Sequence, residues 1–270
     1  MLDLGKISGR MLIFGGVYSN LQALEAMYQT AENQGIPAKN IVCTGDVVAY
    51  CAQPEESVRL IRDWGIHCIT GNVEIQLATG QDDCACDFVE GGRCDSFSRL
   101  WYPYAQAKVS ESSLDWMRNL PAFLQFEYAG KQVAVVHGSF HYTAEFIFQS
   151  TDWSVKQKNF TDLKADVILA GHCGLPFVHE KNEKLWLNAG VIGMPANDGT
   201  PRVWYLLLDD RDGFQYLHRP LMYDYKKASM LMMENNLPPE YAKTLVTGIW
   251  DNCEILPEAE TKTQGIALDI

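Results

Sequence analysis

Asn40-Ile-Val-Cys-Thr-Gly-Asp-Val-Val-Ala-Tyr50 is a short apolar run that stops at a Gly-Asp turn. It reads as a buried strand, Asn40 to Cys43, that carries a carboxylate, Asp46, in the loop at its end. The same pattern lies on either side. Upstream, Arg10 to Phe14 is apolar and ends at Gly15-Gly16, and a helical pattern over Asn20 to Asn33 is closed by Gly35 and Pro37. Downstream, Pro54 to Trp64 has Val58, Leu60, Ile61 and Trp64 at helical spacing, and the strand His67 to Thr70 ends at Gly71-Asn72. Repetition of strand, loop and helix predicts a largely parallel α/β arrangement, with ligand loops at the carboxyl ends of the strands.

Farther along, the pattern changes. Gln81 to Ser98 is rich in Asp, Gly and Cys and reads as an irregular insertion, and Leu100 to Leu120 as helix. Strands are expected at Phe126 to Tyr128, Val133 to Val136, Val167 to Ala170, Leu185 to Leu187 and Val203 to Leu208. Residues 1–225 are expected to form one domain with the insertion at about 81–120. Residues 226–270 are expected to add a helical extension and tail, the polar stretch beyond Pro257 being poorly ordered.

The chain has 270 residues, 47% hydrophobic and 21% charged, which suits one soluble globular domain. No run approaches the ~18 apolar residues of a membrane span, and Met1 to Arg10 is too short and polar for a secretory signal. A cytoplasmic protein without membrane partners is the expectation. A net charge of −12 argues against a nucleic-acid partner, which needs a basic stripe. It leaves phosphorylated ligands open, because a bound cation inverts the local field. Eight cysteines in that setting read as thiols or ligands rather than disulfides. Oligomeric state is not legible.

Asp46, Asn72, His137 and His172 each stand beside a glycine at the end of an apolar strand. A carboxylate, an amide oxygen and two imidazoles suit Mn, Fe or Zn. Any one Gly-Asp or His-Gly pair alone is ordinary turn chemistry; four at strand ends make a metal site. Cys84, Cys86 and Cys94, with Cys51 or Cys173 as a fourth ligand, offer a second, thiolate cluster, although their spacing is not a standard zinc pattern. Unreactive thiols are the competing reading.

Gly16-Val-Tyr-Ser-Asn20, Gly45-Asp46, Gly71-Asn-Val-Glu74, His137-Gly138 and Gly171-His-Cys-Gly174 resemble, in order, the motifs of the calcineurin-like metallophosphoesterases. The likeness is to their small bacterial phosphodiesterase and diadenosine-tetraphosphatase-like branch. Asp46-Val-Val-Ala-Tyr50 with Pro54, and Asn188-Ala-Gly-Val-Ile-Gly193 with Pro195 and Asp198-Gly199, strengthen it. The resemblance implies a four-layer αββα sandwich of two mixed sheets, with two metals sharing a carboxylate. It places the second metal on Asp46, Asn72, His137 and His172. The first metal's positions hold Gly16, Tyr18, Asp46 and Gly174, so only Asp46 can ligate in the family's manner, and Val73 replaces the family's catalytic histidine. Glu74 and His141 are the remaining acid–base candidates, and Asn20 and Tyr18 the candidates for contacting substrate. Tyr18 as a ferric ligand competes with Tyr18 as packing. One metal is expected, a second is doubtful, and the implied activity is weak hydrolysis of a phosphomonoester or phosphodiester. The alternative is a silent relative that binds a phosphorylated ligand or a protein partner.

Overall fold

A computed structural model describes residues 1–86 and 88–269. Its elements run β1 (Leu2–Ile7), β2 (Met11–Phe14), α1 (Leu21–Gln34), β3 (Ile41–Cys43), α2 (Pro54–Trp64), β4 (His67–Cys68) and α3 (Asn72–Thr79). The middle holds α4 (Arg93–Lys108), α5 (Glu111–Arg118), β5 (Leu124–Tyr128), β6 (Lys131–Val135), α6 (Trp153–Leu163) and β7 (Val167–Ala170). The chain continues through β8 (Pro176–Lys181), β9 (Lys184–Ala189), β10 (Val203–Asp209) and β11 (Gln215–Leu221) to α7 (Tyr225–Glu234), α8 (Pro239–Thr247) and α9 (Glu258–Thr261).

The strands form two mixed sheets, ordered β1-β5-β6-β7-β9-β8 and β11-β10-β2-β3-β4. Side-chain alternation explains how they stack. Met11 and Ile13 of β2, with Val167 and Leu169 of β7, enter a core between the sheets. Leu12 and Phe14 face the α1 side, and Ile168 and Ala170 face the α6 side. Strands covered on both faces are therefore apolar at every position, as β2 and β7 are. The result is the expected αββα sandwich.

The site is positioned by parallel pairings. β2 runs parallel to β3 and β3 to β4, while β6 runs parallel to β7 and β7 to β9, so each set ends at one edge. The two edges are tied together where Gly15 N–H donates to Gly190 O at 3.0 Å and Gly193 N–H to Gly16 O at 2.8 Å.

The structure departs from the sequence reading in several places. β1, β8, β11 and α6 are additional to the expected elements and carry no clear apolar period: β1 and the outer half of β8 are largely exposed. Asn72 does not end a strand but starts α3, capped by Gly71. The insertion is less irregular than its composition suggests, since α4 begins at Arg93 and continues through Pro103. The polar tail is also held in place. Glu260 accepts from Ser150 N–H at 2.9 Å, Gly265 N–H donates to Asn197 O at 2.8 Å, and Arg202 donates to Leu268 O at 2.6 Å. Hydrogen bonds, not apolar burial, order this stretch, which is why hydropathy gives no sign of it.

Asp198 is the hub of the tail. It is 2% exposed and accepts from Thr200, Arg202 and Leu268. Asp198→Ala leaves these donors unpaired and is expected to cost about 2–4 kcal/mol, read as a lowered urea midpoint at unchanged slope.

Candidate metal centre

Asp46 leaves the β3 loop with φ at 54°, and His172 leaves the β7 loop with φ at 61°, both in the left-handed region that costs a non-glycine residue energy. Tyr18 and Ser19 in the facing loop share that conformation at 53° and 59°. Backbone strain thus gathers around one point. Gly45 is needed there because a Cβ on it would lie 2.6 Å from Gly71 N and 2.9 Å from His137 Nδ1.

The side chains converge. His137 Nε2 lies 3.2 Å from Asp46 Oδ2, 3.2 Å from Asn72 Oδ1 and 3.1 Å from His172 Nδ1. His172 Nδ1 is 3.9 Å from Asp46 Oδ2. All four residues are buried.

For two of the four, His137 and Asn72, neighbouring carbonyls orient the polar atoms. Thr44 O lies 2.6 Å from His137 Nδ1. A carbonyl only accepts, so Nδ1 bears the hydrogen and Nε2 presents a lone pair. Asn72 Nδ2 donates to Cys84 O at 2.9 Å, which turns Oδ1 inward. The Asp46 carboxylate, Asn72 Oδ1 and His137 Nε2 therefore face one another as acceptors beside His172 Nδ1, and acceptors this close repel unless a proton or a cation lies among them. The donor set, one carboxylate, one amide oxygen and two imidazoles, fits a borderline divalent ion. Asp46, His137 and His172 form the group of potential metal-holding His, Cys, Asp or Glu side chains found among the described residues.

The electrostatics agree. Burial resists charge on His137, yet Asp46 and the Thr44 carbonyl raise its pKa above the ordinary imidazole value. Burial likewise works against an ionised Asp46, but His137 and His172 hold its pKa well below the usual carboxylate value. Burial lowers that of His172.

Glu74 has a different task from the acid suggested by sequence. It is fully buried, and its oxygens accept from Asp46 N–H at 2.8 Å, Gly71 N–H at 2.9 Å and Val48 N–H at 3.2 Å. Burial and then Asp46 push its pKa up to about 7, against the lowering effect of these donors. It pins two ligand loops together rather than facing substrate. Asn20 is also occupied: its Oδ1 caps α1 through Ala23 N–H at 3.2 Å and its Nδ2 donates to Gly193 O at 3.1 Å. His141 turns away to Asp162, 3.2 Å distant.

A cavity of about 70 Å³ opens beside Asp46 and His172. Tyr18 lines it, and so do Tyr50, Phe146, Tyr241 and Trp250. The last two come from α8 and the loop after it, far from every motif, and nothing in the sequence marks them.

The altered first-metal positions are filled by aromatic rings. A Cβ on Gly16 would lie 2.5 Å from Tyr18 Cζ, and one on Gly174 would lie 3.3 Å from the Trp250 ring. Tyr18 is packing here. Burial, then Tyr50 and Asp46, raise its pKa well above the normal phenol value. Gly16→Ala is expected to cost about 1–3 kcal/mol by overpacking. Adding Tyr18→Ala removes the clash, so a double-mutant cycle in urea is expected to show coupling of at least about 1 kcal/mol.

The thiolate cluster does not form. Cys84 and Cys86 are joined in a disulfide, correcting the expectation of free thiols. Cys94 Sγ donates to Asn252 Oδ1 at 3.4 Å, and Cys51 Sγ lies 3.9 Å from Gly193 O. Burial raises the Cys51 thiol far above its ordinary value and pushes Cys173 up to about 12, so both remain protonated.

Residues 10–212 match the family model described as the calcineurin-like phosphoesterase superfamily domain. An uncharacterized protein of Methanocaldococcus jannaschii, MJ0912, is 26% identical over 257 residues, covering 90% of this chain and 99% of its own. The crystal structure of a metallophosphoesterase from Sphaerobacter thermophilus superposes with a TM-score of 0.70 at 21% identity, covering 90% of this chain and 100% of that one. That of hypothetical protein PH1004 from Pyrococcus horikoshii superposes at 0.75 and 18% identity, with 89% and 99% covered. These two likenesses concern the fold. Among the described residues no helix is long and apolar enough to cross a membrane.

Proposed function

The chain belongs to the calcineurin-like phosphoesterase superfamily, and from that membership we propose that it is a one-metal phosphoesterase of low turnover. The observation that carries this reading is the convergence of four groups able to ligate a metal, Asp46, Asn72, His137 and His172, beside a cavity. A bound divalent ion supplies Lewis-acid polarisation of a phosphoryl oxygen and lowers the pKa of a water.

The chain's own residues do the rest, and they do less than a two-metal site requires. His137 is held in one tautomer by Thr44, and Glu74 holds the Asp46 loop in register. Val73 cannot donate a proton to a leaving group. The phenols of Tyr18 and Tyr50 line the cavity, but burial raises both above the ordinary phenol value and makes them poor acids. No Lys or Arg is among the described residues lining the cavity. A doubly charged monoester therefore meets little compensating charge, while a singly charged diester with an aromatic or apolar arm suits the lining.

Aryl phosphodiesters and monoesters assayed with Mn, Fe, Zn, Co and Ni test this. The expected result is turnover below about 1 s⁻¹, faster for the diester and absent from an Asp46→Ala/His137→Ala variant. Activity unchanged in that variant overturns it. A second reading, a silent protein that binds a phosphorylated ligand without turning it over, is favoured by the Tyr18 ring standing beside Gly16. Diester binding without product in any metal supports it over the first.

A further inference from the structure

Asn72 differs from the other ligands in what holds it. Asp46 is steered by its strained loop and His137 by Thr44, both in the sandwich. The Asn72 amide instead donates outward to the insertion, to Cys84 O at 2.9 Å and to Cys86 Sγ at 3.4 Å. Both acceptors belong to the disulfide-closed stretch Cys84-Ala85-Cys86, whose middle residue has φ at 46° and whose Ala85 N–H donates to Asp83 Oδ1 at 2.8 Å. Cys84, Cys86 and Asn72 are all buried, and Cys86 also lines the cavity.

An amide side chain has two ends of similar shape, and only hydrogen bonding decides which end points where. With Nδ2 held by the strap, Oδ1 must face His137 and the metal set. If the strap moves, the amide loses both acceptors, and among the described residues no other acceptor holds Nδ2, a donor, away from the ion.

We propose that the Cys84–Cys86 disulfide is a positioning strap for Asn72, and that its reduction weakens metal binding at this site. This rests on the metal reading above. The step consumes two electrons and two protons from a thiol reductant of the glutathione or dithiol class: the Cys84–Cys86 S–S bond breaks, two thiols form, and the reductant becomes a disulfide. Opening the ring frees the Cys84 carbonyl and Cys86 sulfur from a common geometry.

The test measures Mn²⁺ and Zn²⁺ affinity by competition with a chromophoric chelator, on oxidised protein, on protein reduced and freed of reductant, and on Cys84→Ser/Cys86→Ser. Loss of an outer hydrogen-bond partner typically costs 10–100-fold in metal affinity. The reduced protein and the double variant are therefore expected to bind about 10-fold or more weakly than the oxidised protein. In Asn72→Asp the side chain has no amide to hold, so affinity is expected to be the same in both redox states. Equal affinity of oxidised and reduced wild type, or tighter binding on reduction, overturns the strap while leaving the metal site standing. A redox effect that persists undiminished in Asn72→Asp also overturns it. Failure to bind metal in any state contradicts the metal reading and the strap together.

Discussion

An Asp46→Ala/His137→Ala variant is expected to purify folded but without stoichiometric metal, and to bind added Mn²⁺ or Zn²⁺ more than about 100-fold more weakly than the wild type. Outer partners alone are typically worth 10–100-fold, and these two groups are in the metal set itself. The two belong together in the test. They are 3.2 Å apart and 6% and 1% exposed, so removing one leaves the other as a buried group without its partner, which typically costs 3–5 kcal/mol. Removing both avoids that penalty, so the loss of metal is not confused with unfolding. Circular dichroism and a urea midpoint near that of the metal-free wild type check the fold, and chelator competition reads the affinity. Retained affinity contradicts the assignment of these ligands.

Glu74→Ala is expected to destabilise the protein by about 3–5 kcal/mol. The carboxylate accepts three backbone N–H groups from Asp46, Val48 and Gly71. All are buried, so each donor is left without water or protein when the carboxylate goes. Asp46 and Gly71 sit on the two loops that carry ligands, so the metal set should disperse along with the stability. Glu74→Gln keeps one oxygen but sets an N–H against one of the donors, and an intermediate loss is expected. Urea unfolding of both variants reads the order. A Glu74→Ala protein as stable as wild type, with turnover lost, would instead make Glu74 the acid.

The parts legible in the sequence are those with local signals. An apolar strand that stops at Gly-Asp or His-Gly announces both the strand and the candidate ligand, as at Asp46 and His137. The alternation of β2 and β7 is hidden in sequence because both of their faces are covered, yet the length of the runs suffices to place them. Edge strands such as β1 and β11 lack that signal, since few of their residues are buried. The partners of three candidate residues are not legible for another reason. Asn20, Glu74 and His141 are polar and lie near motifs, but what each does depends on the backbone group or side chain it meets: Gly193, three loop amides and Asp162. Such partners are far away in the chain. Trp250 and Tyr241 complete the cavity from the C-terminal extension for the same reason, and α-helical periodicity there speaks only of packing.

The altered half of the site is physical as well as sequential. Tyr18 packs within reach of any side chain placed on Gly16, and Trp250 stands over Gly174. Restoring ligands at those positions therefore requires making room for them, not merely substituting residues.

The most direct measurement is elemental analysis of the purified wild-type protein, paired with an accurate protein concentration. One Mn, Fe or Zn ion per chain, lost in Asp46→Ala/His137→Ala, is the predicted result. Two ions per chain, or metal content unchanged by the double substitution, would contradict a single centre on Asp46, Asn72, His137 and His172.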